Sequence, residues 1–206
     1  MSDFDQRQLS DGARRPFNEI SFQPRKSSLQ CESALAIEAY PRWASEIDRI
    51  GQAVFGKYKI DRETYEAYIH SPPGWNDPSK ATPAFFSLLR QGSSLRGFAF
   101  SLHATSYELD FKYCYEVGDC YLAMIAIDPK YQGRGLVHSL LSEQEEQAIK
   151  LGFSQFTMHA TIASGFASKV VARYGDRITD EHYYQDPYFG PQHFLRVKLI
   201  ENSLTS

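Results

Sequence analysis

The chain has 206 residues, with 22 lysines and arginines against 25 aspartates and glutamates, which gives a formal net charge of −3. A hydrophobic share of 42% at this length is enough for one well-buried core without metal or disulfide cross-links. The near-neutral balance argues against a general nucleic-acid or anionic-membrane surface, because both kinds of partner need a clustered positive field.

The N-terminal part of the chain divides into a polar extension and the start of a domain. Residues 1–30 are rich in Ser, Gln, Arg and Asp, so they are predicted to be an extension that cannot form a core by itself. Residues 31–206 are predicted to form one domain. Its first strand is predicted over Ser33–Tyr40, and the apolar spacing after Pro41 predicts a helix that begins at this proline. Asp61 is the predicted N-cap of a second, shorter helix.

The middle of the chain is predicted to be β-rich. Two apolar runs, Pro83–Leu89 and Leu95–His103, are separated by a Gly-Ser turn and predict a hairpin of antiparallel strands. The polar and aromatic segment Thr105–Asp119 fits either a long loop or a strand extension. Cys120–Ile127 is almost continuously apolar, which predicts a strand buried on both faces.

The last part of the chain alternates between helical and β patterns. Gly133–Leu151 predicts an amphipathic helix, residues around Met158 predict a strand, Ala163–Tyr174 predicts a helix, and His193–Ile200 predicts a closing strand. The element order β-α-α-β-β-β-α-β-α-β-β mixes hairpins with a β-α-β crossover. We therefore predict an α/β (α+β layered) fold, with a mixed central sheet of about six or seven strands and helices on both faces.

The loop between the buried strand and the long helix is the part of the sequence that most clearly indicates a ligand-binding function. Asp128-Pro129 predicts a turn, and Gly133 and Gly135 precede the helix. Backbone N–H groups at a helix N-terminus lack internal partners and carry the positive end of the helix dipole, so this loop suits a pyrophosphate. A plain turn remains an alternative. A nucleotide-binding oxidoreductase is disfavoured, because no acidic residue follows on the next strand at the required spacing of about 20 residues.

This loop resembles the signature of the GNAT superfamily of acyl-CoA N-acyltransferases. The family pattern Q/R-x-x-G-x-G/A is similar to Gln132–Val137, and the D-P-x-Y that often precedes it is matched by Asp128–Tyr131. The family hairpin that ends in GFA resembles Gly97-Phe98-Ala99, and the likeness extends over about residues 34–200. The resemblance implies a GNAT-like fold, acetyl-CoA as co-substrate without a metal, and direct attack by an acceptor amine in a ternary complex.

The resemblance also implies a set of cofactor-binding residues. Strand backbone is expected to line the pantetheine arm, with an N–H near Met124 or Ile125 polarising the thioester carbonyl. Loop amides are expected to hold the pyrophosphate, and Ser164 stands where the family often has an Asn that contacts the cofactor. The implied residues are Met124, Ile125, Ala126, Ile127, Gln132, Gly133, Arg134, Gly135, Leu136, Val137 and Ser164.

The general acid of the family has no direct counterpart. Val171 stands where many members carry the Tyr that protonates the departing thiolate. Tyr174 lies one helical turn further and is the substitute candidate, with plain packing as the alternative.

Candidates for the general base come from the region before and beside the buried strand. Glu116 and Asp119 are the carboxylates closest in sequence to the expected site, Tyr121 begins the strand, and His159 on the next strand is a further candidate. For the carboxylates the alternative is a solvated surface charge, and for His159 it is a structural histidine.

The segment from His182 to Phe194 contains five aromatic residues, and in this family it borders the acceptor pocket. An aromatic lid, a homodimer contact and core packing are the alternatives for it. The leading hypothesis for the whole chain is an N-acetyltransferase acting on a small-molecule or protein amine. The alternatives are transfer of a longer acyl chain, and a catalytically silent acyl-CoA-binding or interaction module on the same fold.

The three cysteines indicate the expected compartment. Cys31, Cys114 and Cys120 have no metal-ligand spacing, and an odd number leaves at least one unpaired. The first residues include no apolar signal segment, and no apolar stretch is long enough for a membrane helix. We therefore expect reduced thiols in a cytoplasmic protein with no membrane or nucleic-acid partner.

Overall fold

The computed structural model of the chain describes residues 28–70, 83–104 and 119–199. The strands in these ranges are β1 (Leu29–Leu35), β2 (Phe85–Gln91), β3 (Ser94–His103), β4 (Asp119–Ile127), β5 (Gln155–Thr161), β6 (Ile178–Asp186) and β7 (Gly190–Lys198). The helices are α1 (Ala36–Phe55), α2 (Arg62–His70), α3 (Val137–Lys150) and α4 (Phe166–Tyr174). Within the described ranges, no helix is long and apolar enough to cross a membrane.

The seven strands form one mixed sheet in the order β1-β2-β3-β4-β5-β7-β6. Only β4 and β5 are parallel neighbours, and α3 is the crossover between them, while the other neighbouring pairs are antiparallel. Helices α1 and α2 cover one face of the sheet and α3 and α4 cover the other. This architecture confirms the predicted mixed sheet with helices on both faces.

Each face of the sheet carries its own apolar core. On the α1 face, Phe86 and Phe100 pack at a ring separation of 4.7 Å and belong to one cluster with Ile47 of the helix. On the α3 face, Phe156 and Leu195 belong to a second cluster with side chains of α3 and α4. Burying apolar residues on both faces of the central strands explains why their sequences are nearly continuous apolar runs.

The start of α1 differs from the prediction. Residues 36–40 were expected in a strand that ended at Tyr40, but the strand ends at Leu35 and Pro41 lies inside the helix. Ala36, Ala39, Tyr40 and Trp43 are all buried, which is the i, i+3, i+4, i+7 spacing of a helix face. Pro41 is the sixth residue of α1, so its missing N–H removes one helical hydrogen bond, to the carbonyl of Ile37, and the burial of the apolar face offsets this loss.

Two other helices begin later than predicted. α3 begins at Val137 and not at Gly133, because Gly133 and Gly135 have φ values of 76° and 73°, which are outside the helical region. α4 begins at Phe166 and not at Ala163, since residues 162–164 form a short 3-10 turn that ends at Gly165.

The β2–β3 hairpin and the start of α2 agree with the prediction, whereas the bounds of β1, β6 and β7 differ from it. The hairpin of β2 and β3 is confirmed, and the Asp61 carboxylate accepts the Thr64 N–H at 2.8 Å as the N-cap of α2. The aromatic segment from His182 to Phe194 is mostly strand, because β6 continues to Asp186 and β7 begins at Gly190. β1 begins at Leu29, just inside the predicted extension.

Several predictions lie outside the described residues. They concern most of the N-terminal extension, up to residue 27, the segment 105–118 with Glu116 and Cys114, and the end of the closing strand at residue 200.

A buried amide joins α3 to the sheet. Gln144 is fully buried, and its Nε2 donates to Ser87 Oγ at 3.0 Å and to the Ala99 carbonyl at 3.1 Å. Its Oε1 accepts a hydrogen bond from Ser101 Oγ. Because a buried amide is costly unless it is hydrogen-bonded, these contacts fix the position of α3 on β2 and β3.

We expect the Gln144→Leu substitution to lower the free energy of unfolding by about 1–3 kcal/mol, because two buried hydroxyls and a carbonyl lose a partner. Gln147→Leu makes the same change at a partly exposed position of α3 and should alter stability by less than about 0.5 kcal/mol. Urea denaturation followed by circular dichroism measures both values. Equal stabilities of the two variants would contradict the structural role of this network.

Candidate functional site

The parallel strands β4 and β5 separate part of the way along their length. They pair from Asp119 opposite Gln155 to Leu122 opposite Met158, and no further. Beyond this point β4 continues along β3 and β5 continues along β7. Ala123 is an extra residue in β4 relative to β3, and such a bulge bends the strand. A gap therefore opens between the carboxyl-terminal halves of β4 and β5.

A cavity of about 890 Å³ occupies this gap. Its walls are the unpaired half of β4, the end of β5, the loop before α3, the start of α4, the end of α1 and the β6–β7 turn. The residues that line it from β4, β5 and the loop include Met124, Ile125, Ala126, Ile127, His159, Thr161, Gln132, Gly133, Gly135, Leu136 and Val137.

Asp128 anchors the loop between β4 and α3. Its carboxylate accepts the Lys130 N–H at 3.1 Å and the Arg49 Nη1 at 2.9 Å, and its own N–H donates to the Arg96 carbonyl at 2.8 Å. Burial by itself would raise the pKa of Asp128, but the Lys130 amide and the Arg49 guanidinium hold it below its usual range. Gln132 Nε2 also donates to the carbonyl of Ile127, at 2.9 Å, and closes the turn.

The loop presents backbone donors to the cavity. Among the described residues, none accepts a hydrogen bond from the backbone N–H groups of residues 133–137. Gly133 and Gly135 both have positive φ values, and this backbone conformation places the successive amides at the N-terminus of α3. A side chain at Gly135 would project into open space. Unpaired amides at the positive end of a helix dipole form an anion site.

The structure brings together most of the predicted cofactor residues. The β4 residues 124–127, the loop residues 132, 133 and 135–137, and Ser164 all line the cavity. Arg134 does not: its Nη2 donates to the Lys130 carbonyl at 3.3 Å, and its guanidinium lies over the Tyr131 ring at 5.1 Å. Ser164 Oγ accepts the N–H of Phe166, the first residue of α4, at 3.1 Å.

The candidate bases are less well placed. Glu116 lies outside the described residues. Asp119 is 1% exposed, accepts Arg196 Nε at 3.2 Å and does not line the cavity. Tyr121 is also buried, with its ring centroid 5.8 Å from that of His159. Asp119 therefore belongs to a buried ion pair. Protonation of its carboxylate would leave the buried Arg196 with one anionic partner fewer.

Tyr174, the candidate general acid, is not brought to the cavity. It is 2% exposed in the core between α4 and the sheet, and the guanidinium of Arg177 lies over its ring at 5.2 Å. Burial raises the pKa of Tyr174 above its ordinary value. Val171 lies on the same helix with 38% of its surface exposed.

His159 lies at the point where β5 leaves β4, and it lines the cavity. Its Nδ1 shares a hydrogen bond with the Tyr184 hydroxyl at 2.8 Å, and its ring packs 5.1 Å from that of Phe194. Burial lowers the pKa of His159 to about 4, and the charge of Asp186 opposes this effect only in part. The imidazole is therefore uncharged at neutral pH.

The β6–β7 turn forms one side of the cavity mouth. Asp186 Oδ1 accepts the N–H groups of Tyr188 and Phe189 at 2.7 and 2.8 Å, and Gln192 Nε2 donates to the Phe189 carbonyl at 3.1 Å. The Phe189 ring lies 4.9 Å from the ring of Tyr58, just after α1. The sequence analysis did not predict Tyr58 as a site residue, because its position at the cavity depends on where α1 ends relative to the sheet.

Comparisons with known proteins agree with this geometry. The sequence profile described as the Acetyltransferase (GNAT) family matches residues 52–173, more than half of the chain. No curated protein sequence matches the chain. Within the described ranges, no group of three or more His, Cys, Asp or Glu side chains is placed to hold a metal ion.

Solved structures share the fold at low sequence identity. The ribosomal-protein-S18-alanine N-acetyltransferase from Escherichia coli superposes with a TM-score of 0.58 and 14% identity, covering 87% of this chain and 99% of that one. YncA from Salmonella typhimurium, solved with its cofactor acetyl-CoA, gives 0.55 and 16%, covering 87% and 99%. N-acetylglutamate synthase from Neisseria gonorrhoeae, complexed with coenzyme A and N-acetyl-glutamate, gives 0.52 and 16%, covering 83% and 35%.

The low pKa of His159 predicts how stability depends on pH. Between pH 6.5 and about 4 the unfolded chain binds a proton at this residue that the folded chain does not, so the folded state loses stability as pH falls. The loss between pH 7 and pH 5 should be about 2 kcal/mol, and His159→Gln should remove this component.

Urea unfolding at several pH values measures the effect, and His138→Gln, at an exposed position, is the control. A pH dependence that is the same in wild type and His159→Gln would show that His159 is not buried in its neutral form.

Proposed function

Since the chain belongs to the GNAT family of acetyltransferases, we propose that it is a CoA-dependent N-acetyltransferase. It transfers an acetyl group from acetyl-CoA to an amine of a small molecule or a protein, by direct attack in a ternary complex. The observation that carries the proposal is one cavity that contains both the gap between β4 and β5 and the loop with unpaired amides. An extended ligand with an anionic end fits such a cavity.

In this proposal the chain holds acetyl-CoA mainly through its backbone. The amides of residues 133–137 bind the pyrophosphate, and the Asp128–Arg49 pair keeps their loop in place. The edge of β4 from Met124 to Ile127 that does not pair with β5 binds the amide groups of the pantetheine arm. Strand N–H and C=O groups without a neighbouring strand are stabilised by such hydrogen bonds. An N–H of this edge near Met124 or Ile125 polarises the thioester carbonyl.

The chemical step needs few side chains. Holding the amine against the thioester converts a bimolecular reaction into an effectively unimolecular one. The leaving thiolate has a pKa close to that of cysteine, about 8.5, so it departs without full protonation. In this proposal the reaction needs no general acid from position 171, where a valine stands, or from Tyr174, which is buried away from the cavity. Glu116 and Tyr121 remain proposed contributors to proton transfer, whereas Asp119 serves the ion pair with Arg196.

A catalytically silent acyl-CoA-binding module is the second candidate. It is favoured by the same observations: Val171 replaces the general acid, and Asp119 is committed to Arg196. Both candidates share the cofactor site and differ only in turnover. We propose the cytoplasm as the compartment of either, since unpaired thiols such as Cys31 and Cys120 persist there.

Acetyl-CoA binding can be measured by thermal unfolding. At a ligand concentration of 100 times Kd, the free energy of unfolding should rise by about 2.7 kcal/mol, which shifts Tm by roughly 5 to 11 °C for a domain of this size. Gly135→Glu should abolish the shift, because its carboxylate would occupy the anion site.

Gly152→Glu is the matched control, since Gly152 has a similar φ of 85° and open space around it but does not line the cavity. It should keep the full shift. An undiminished shift in Gly135→Glu would refute the assignment of the loop.

Turnover separates the enzyme from the silent module. With acetyl-CoA and a panel of primary amines, free CoA thiol should appear faster than in the absence of an acceptor, and the acetylated amine should form in equal amount. Binding of acetyl-CoA with no acceptor-dependent thiol release for any amine would favour the silent module.

A further inference from the structure

The cavity continues from the loop before α3 into the groove between α3 and α4. The side chains that line it there include His138 of α3 and Lys169 of α4. Further along the groove the two helices are joined, because Arg173 Nη2 of α4 donates to Ser142 Oγ of α3 at 2.9 Å. The start of this groove therefore borders the loop with unpaired amides.

Basic residues recur along the side of α4 that faces α3. Arg173 follows Lys169 by four residues, so the two side chains lie on the same face of the helix, one turn apart. Glu145 of α3 lies 3.6 Å from Arg173, and it also forms an ion pair with Arg177, just after α4. A carboxylate of the chain therefore neutralises the two guanidinium groups in this part of the groove.

Lys169 has no such carboxylate. The residue of α3 one turn before Ser142 is His138, and no Asp or Glu in the described ranges forms an ion pair with Lys169. Of the described side chains that line the cavity, Lys169 is the one Lys or Arg, and none is Asp or Glu. The end of the cavity near the loop thus carries a positive charge that this part of the chain does not neutralise.

The place of Lys169 in α4 does not favour the folded protein. It is the fourth residue of the helix, close to the positive end of the helix dipole, where a cation is disfavoured and an anion is stabilised. The positive end of α3 borders the same cavity. Two helix N-termini and one ammonium group therefore concentrate positive potential at this end of the cavity, which attracts a ligand with several negative charges.

From this arrangement we infer that Lys169 binds the 3′-phosphate on the ribose of acetyl-CoA and makes the site selective for CoA over dephospho-CoA. The inference deepens the proposed function and rests on it. In that proposal the amides of residues 133–137 hold the pyrophosphate, so the ribose phosphate is the anionic group of the cofactor that still needs a partner. A lysine ammonium binds phosphate through charge-assisted hydrogen bonds, and Lys169 is the cation of the described lining that supplies them.

Acetyl-CoA and acetyl-dephospho-CoA test this inference, since they share the thioester, the pantetheine arm and the pyrophosphate and differ only in the 3′-phosphate. Isothermal titration calorimetry of the wild type should give a Kd for acetyl-CoA about tenfold below that for acetyl-dephospho-CoA. Lys169→Met should raise the Kd for acetyl-CoA about tenfold and change the Kd for acetyl-dephospho-CoA by less than about twofold. Lys169→Arg should keep most of the difference between the two ligands, because a guanidinium also binds phosphate.

Lys150→Met is the matched control. It removes the same charge from an exposed position of α3 that does not line the cavity, so both Kd values should stay within about twofold of wild type. Without ligand, Lys169→Met should unfold at a Tm no lower than that of wild type, since it removes a cation from the N-terminal part of α4. That measurement establishes that the variant is folded before either ligand is added.

Three results would overturn the inference and leave the proposed function standing. The first is an equal Kd for the two ligands in wild type. The second is an equal loss of affinity for both ligands in Lys169→Met, which would assign the ammonium group to the pyrophosphate. The third is a preference for acetyl-CoA that persists undiminished in Lys169→Met. A wild-type protein that binds neither ligand would contradict the proposed function, and the inference would fail with it.

Discussion

The parallel pairing of β4 and β5 ends after Leu122 and Met158, and the rest of the site depends on this limit. The bulge at Ala123 keeps β4 on β3 while it turns the strand away from β5. Backbone groups that would otherwise pair with β5 then face a cavity. β4 then leads to Asp128 and into the loop before α3, so the gap and the loop with unpaired amides lie at the same end of this strand.

Charge in this region is largely committed to structure. Asp128 is bound by Arg49, and Asp119 by Arg196, so that neither carboxylate is left for the cavity. Each of these pairs joins elements distant in sequence, and removing the arginine would leave a buried carboxylate without its cationic partner. Among the described residues, the lining of the cavity includes backbone amides of the loop, aromatic rings on the α1 side and the imidazole of His159, whose pKa is lowered by burial.

The predictions that succeeded concern short-range chemistry. The turn at Asp128 and the glycine-containing loop before α3 could be predicted because a proline and two glycines constrain the backbone locally, although the helix was expected from Gly133 and begins at Val137. The element order followed from hydrophobic periodicity. The start of α1 could not be predicted, because residues 36–40 fit both a strand and a helix, and only packing against the sheet decides between them. The partner of Asp119 was equally unpredictable, since Arg196 lies 77 residues away.

The sequence by itself determined the order of elements, the glycine-containing loop before α3 and the family. The tertiary structure decided where β4 leaves β5, that Tyr174 faces a core and not the cavity, and that Tyr58 meets Phe189. The physical reason is the range of the interactions. Turn geometry and helix periodicity act over a few neighbouring residues and are visible in the chain. Strand pairing, burial and the loss of hydration at His159 depend on residues that only folding brings together.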